Sequence, residues 1–89
     1  MTEIEIQKAE RHIRRAFTVI AQGRDWIGIW ELRNMVDIPD LDGVLKALAI
    51  SHPDYAVTPG ANQKALTEED RAGALWMGGQ WKHFLSVRG

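Results

Sequence analysis

The sequence contains no cysteine. A disulfide framework and any thiolate metal site are therefore excluded, and packing alone must hold the fold. Charge of one sign is also missing, because 11 basic and 12 acidic side chains leave a formal net charge of -1. With 45% apolar residues beside that balance, the composition is not that of a disordered segment. No run of about 18 apolar residues occurs, so no membrane partner is expected. The first residues alternate Glu3 and Glu5 with isoleucines, unlike the basic start and apolar centre of a secretory signal. A cytoplasmic location is the expectation. At 89 residues the chain should form one domain, residues 1–89, with little room for a deep substrate pocket.

Catalytic and metal constellations are scarce as well. His12, His52 and His83 show no metal-ligand spacing, so no metal and no cofactor are expected. Ser51 and His52 are adjacent and diverge at a helix end, with no orienting acid in view. Glu68 and Glu69 suit the first turn of a helix, where they complement its positive end. Gly78-Gly79 lacks the strand-before, helix-after context of a phosphate loop. The expectation is a protein that is not an enzyme.

What the chain does have is periodicity. Thr2 and Glu5 form a capping-box pattern, and Ile6, Ala9, Ile13, Ala16, Phe17 and Ile20 then recur at three- and four-residue steps to Gly23. This predicts a first helix, whose outer face carries Lys8, Arg11, Arg14 and Arg15. A short strand is expected over 24–28, followed by a second helix from Ile29 to Val36. Pro39 breaks it, and Asp40 caps a third helix that buries Leu41, Val44, Leu45 and Leu48 and turns Asp42, Lys46, Ala47 and Ile50 outward. A second strand spans Tyr55 to Val57 before the turn Thr58-Pro59-Gly60. A fourth helix, capped at Thr67 and ending at Gly78-Gly79, should carry Leu75, Trp76 and Met77, and a third strand should run from Trp81 to Val87. The fold class expected is mainly α with a small β-hairpin, a three-helix core plus an extra helix between the two hairpin strands.

That order resembles a winged helix-turn-helix domain, and the resemblance runs from about Ile6 to Val87. It rests on Ile27, Ile29, Leu32, Val36 and Ile38 around the turn, on Val44, Leu45 and Leu48, and on the two strand segments. In that family the third helix enters the DNA major groove and the hairpin loop touches the backbone or minor groove. The resemblance thus implies a DNA-binding transcriptional or accessory regulator, with double-stranded DNA as partner. The residues it points to are Arg24, Arg33, Asp42, Lys46 and Ala47, together with Asn62, Gln63 and Lys64 after the second strand.

A second function class stays open beside it. Residues 37–54 hold four aspartates against Lys46 alone, so the third helix is acidic where phosphates would approach. Four tryptophans are many for a thin core, and Trp26, Trp30, Trp76, Met77, Trp81 and Phe84 are candidates for a partner interface. A protein-protein interaction module would use the acidic helix and these side chains. A homodimer, through the first helix or through the fourth helix and last strand, is expected under either reading.

Overall fold

The computed structural model describes residues 2–60 and 63–88. The first helix, α1, runs Glu3–Ala21 and starts as expected, since the Thr2 hydroxyl accepts from the Glu5 amide at 3.2 Å while the Glu5 carboxylate accepts from the Thr2 hydroxyl. Strand β1 is Ile27–Gly28 and passes directly into α2, Ile29–Met35. Asp40 caps α3, Leu41–Ser51, its carboxylate accepting from the Gly43 amide at 3.2 Å. Strand β2, Tyr55–Thr58, then leaves the helical layer.

From here the structure departs from the expected elements. The fourth helix, α4, is only Glu68–Ala72, preceded by a single 3-10 turn at Gln63–Ala65. Leu75, Trp76 and Met77 are not helical. They form β3, Leu75–Met77, paired antiparallel with β4, Gln80–Lys82. Gly78 and Gly79 both have positive φ, +64° and +77°, which is the backbone a two-residue hairpin turn requires and which β-carbon-bearing residues resist. The expected continuous last strand is also divided: β4 ends at Lys82, His83 intervenes, and β5 is Phe84–Val87.

Three strands form one antiparallel sheet in the order β1, β5, β2. β5 pairs Leu85 with Ile27 on one edge and with Val57 on the other. The fold is therefore a mixed α/β domain with two small antiparallel sheets rather than helices with a lone hairpin.

The core follows the stripes. Ile13 of α1, Ile29 and Leu32 of α2, Val44 and Leu45 of α3, and Ile27 and Leu85 of the sheet are all essentially without solvent contact. Leu75 joins this set and pins the β3–β4 hairpin to the domain, with Met77 packed half-buried beside it. A two-stranded hairpin alone is marginal in water. Burying a leucine contributes about 1.5–3 kcal/mol, which is enough to hold one. A charged clamp adds to this, because Arg33 of α2 donates to the carbonyls of Gly73 and Ala74 just before β3. Gly73 fits there because its missing side chain leaves room for Trp30, whose Cα lies 2.6 Å from where a β-carbon would stand.

A second clamp ties α1 to the sheet. Arg14 contacts Glu10 at 2.9 Å and Asp54 at 3.2 Å and donates to the carbonyl of Arg88, while the Tyr55 hydroxyl donates to the Glu10 carboxylate at 2.6 Å. Burial opposes ionisation of Glu10, yet hydrogen bonds from Tyr55 and Arg14 outweigh it and hold its pKa below the ordinary 4.5. Burial, and then the neighbouring Glu10 carboxylate, push the Tyr55 phenol up.

A depressed carboxylate stabilises the fold above its unfolded pKa, and that contribution is lost as pH falls through the folded value. Stability measured by urea unfolding should therefore drop as pH falls from 4.5 downward, and Glu10→Gln should remove part of that drop. A variant with an unchanged acid limb would contradict the clamp. Leu45→Ala should cost about 2–5 kcal/mol through the cavity it opens among the three helices.

Candidate functional site

The β3–β4 hairpin presents the most concentrated aromatic surface among the described residues. Side chains alternate along a strand, so burying Leu75 turns Trp76 outward and Met77 back toward the core. Trp76 stands directly opposite Trp81 in the register. Met77 and Gln80 flank the two-residue turn as the hydrogen-bonded pair, which makes Trp76 and Trp81 a non-hydrogen-bonded pair, the closer kind. Their rings meet edge to face with centroids 5.1 Å apart at 67°, and they remain 49% and 53% exposed. Such a pair is worth about 0.5–1.5 kcal/mol beyond its buried area.

Beside the rings lies a cleft of about 570 Å³ lined by Pro59, Arg71, Gln80 and His83 as well as both tryptophans. His83 is buried, and its Nδ1 lies 2.6 Å from the Pro59 carbonyl. A carbonyl only accepts, so the Nδ1–H donates to it, and the chain just after β2 fixes the orientation of the ring. Planar faces, a glutamine amide and a shallow open cleft can bind an apolar or planar surface of a partner. Among the described residues no group of three or more His, Asp or Glu is placed to hold a metal ion.

The other expected interface residues do not join this patch. Trp30 is half-buried, wedged against Gly28 and Gly73. Met77 packs on the core. Phe84 is half-buried with its ring over Gly60. Trp26 is exposed, but it lines a different cleft with Phe17, Arg24 and Arg88.

The residues singled out for DNA do not converge either. Arg24 donates to the carbonyls of Ile20 and Ala21, closing the C-terminal end of α1, and lies 3.5 Å from Glu31. Arg33 is engaged by Gly73 and Ala74 and pairs with Asp42 at 2.6 Å. Ala47, expected to face outward, instead is half-buried in a cleft against α1 with Ile6 and Glu10. It and Asp42 sit at opposite margins of the apolar stripe of α3, each about 110° from its centre at 100° per residue, where neighbouring helices reach them. Lys46 is half-buried, and Ile50, farther around the helix, is 77% exposed. Lys64 is exposed, Gln63 is placed by its backbone in the 3-10 turn, and Asn62 lies outside the described residues.

Comparison of the chain with protein-family models, with curated proteins and with solved structures finds no match. No helix among the described residues is long and apolar enough to cross a membrane.

The indole pair has its own readout. Wild-type protein should show the exciton-coupled circular dichroism of two interacting indoles, and Trp81→Ala should abolish it while costing no more than about 2 kcal/mol of stability. Retention of that signal in the variant would show the rings are not paired.

Proposed function

We propose that this chain is a winged helix-turn-helix domain that works as a protein-interaction module, with the tryptophan face of the β3–β4 hairpin as its contact surface. The fold assignment draws support from the chain order α1, β1, α2, α3, β2, with β5 returning beside β2. The function rests on one observation, the exposed Trp76 and Trp81 held in a fixed mutual geometry at a site anchored by Leu75. Rigid, half-exposed aromatic side chains are what interface anchors are made of.

The charge distribution favours the same reading over nucleic acid. Phosphate contacts supply most DNA affinity, yet Asp37, Asp40 and Asp42 gather at the start of α3 and the apolar Ile50 is 77% exposed on it. The partner proposed first is a second copy of the chain, because Trp76, Trp81 and Gln80 carry no charge and can oppose themselves across a two-fold axis without repulsion. One observation favours DNA binding as a second reading. The Arg33–Asp42 pair neutralises one carboxylate of α3 and leaves Lys46 on the same helix.

Light scattering at high protein concentration should give about twice the 10.1 kDa chain mass. Replacing Trp76→Ser and Trp81→Ser together should return it to one chain with the helical circular dichroism retained. Mixed-sequence duplex DNA at low salt should not bind. A strictly monomeric wild type that binds duplex with a steep salt dependence would replace this reading with the second one.

A further inference from the structure

The outer face of α1 carries a pattern that neither the core nor the hairpin surface uses. Ile4, Lys8, Arg11, His12, Arg15 and Val19 are all exposed, and at 100° per residue they fall within about 100° of arc. Ile4 is 65% exposed and Val19 54%. The face thus reads apolar, cationic, apolar along a helix about 28 Å long. Its cations stand apart from the internal clamps. Arg14 is held by Glu10 and Asp54, whereas among the described residues no carboxylate pairs with Lys8, Arg11 or Arg15. Lys8, Arg11, His12 and Arg15 together line a shallow depression.

Among the described residues, carboxylates of α1 itself and of the segment before α3 approach the stripe at its Lys8 end. Glu5, Asp37 and Asp40 share a cleft with Lys8 and His12. Two of these are occupied, the Glu5 carboxylate at Thr2 and that of Asp40 at the Gly43 amide. Among the described residues Arg11 and Arg15 have no carboxylate partner and form the positive centre of the stripe.

Three occupants can be weighed on charge. A second copy docked antiparallel on this face would bring Ile4 against Val19, but also Lys8 against Arg15 and Arg11 against His12, so like charges oppose it. A nucleic acid backbone would satisfy the cations and offer nothing to Ile4 and Val19. A helix with carboxylates in its middle and an apolar side chain toward each end matches all of the stripe. We infer that the outer face of α1 is a second docking surface, separate from the hairpin, for an acidic amphipathic helix of another protein.

The test uses the full chain and a synthetic helical peptide bearing leucine near each end of one face and glutamates between, followed by isothermal titration at about 50 mM salt, where exposed charges are weakly screened. Binding should weaken at least about tenfold, or 1.4 kcal/mol, in Arg11→Gln/Arg15→Gln, and also in Ile4→Ser/Val19→Ser. Each variant changes only exposed side chains, and circular dichroism checks that the helix persists. Should either variant lose structure, two altered peptides give the same answer on wild-type protein, one with glutamine for glutamate and one with serine for leucine. Loss of binding with both peptides supports the inference. It is overturned by absence of binding, by equal binding of the serine peptide, or by tighter binding of duplex DNA or phosphatidylserine vesicles than of the acidic peptide. The Trp76→Ser/Trp81→Ser protein should bind the peptide as wild type does, which separates failure here from failure of the hairpin reading.

Discussion

Every other element is placed by the fact that β5 has both edges occupied. It pairs with β1 along Ile27–Gly28 and with β2 along Tyr55–Thr58, so the last strand of the chain must enter between two strands already laid down. β1 is too short to stand alone, and it is held by the Ile29 amide donating to the His83 carbonyl as well as by the ladder. On the other side the His83 amide donates to the Thr58 carbonyl. His83 is thus the point where the chain locks onto both neighbours. Upstream of it, β4 has no place in that sheet and pairs instead with β3, a second small unit that Leu75 packs onto the common core.

That unit is what the sequence conceals. The helices are legible because a 3.6-residue period encodes burial directly, and Thr2, Asp40 and Thr67 cap where their side chains allow it. The third helix buries the expected leucines, and the corrections at its margins, Ala47 and Asp42, arise from neighbours that a single helix wheel does not contain. Leu75 to Met77 is another matter. Three residues are too few to distinguish a two-residue period from a helical one, and a glycine pair ends a helix as readily as it turns a hairpin. The deciding signal is symmetrical, because Gln80-Trp81-Lys82 mirrors Leu75-Trp76-Met77 across the glycines. The alternation from Trp81 through Val87 masks it, since it continues through His83 although the strand does not.

The arginines divide in a way that net charge cannot reveal. Arg14, Arg24 and Arg33 each donate to backbone carbonyls, joining α1 to the end of the sheet, closing α1 and holding the approach to β3. A guanidinium can satisfy several acceptors in one plane, which suits it to clamping irregular chain that has no ladder partner. Arg24 and Arg33, near helix ends, therefore read as phosphate contacts from sequence and as internal fasteners in the fold. Lys8, Arg11 and Arg15, on the outer face of α1 where the backbone is already satisfied, are left to face solvent.

The same reasoning bears on the tryptophans. Trp30 replaces missing side-chain volume at Gly28 and Gly73, so its ring belongs to the packing of α2 against the approach to β3. Trp76 and Trp81 have no such vacancy to fill, and their edge-to-face contact could be made by smaller groups at lower cost in exposed apolar surface. Exposing two large rings at one spot raises the free energy of the isolated chain in water and lowers it on contact with another apolar surface. A hairpin anchored by Leu75, turned by two positive-φ glycines and tipped with two indoles thus exposes apolar surface that the packing of the domain beneath it does not use, and the proposed contact role rests on that surface.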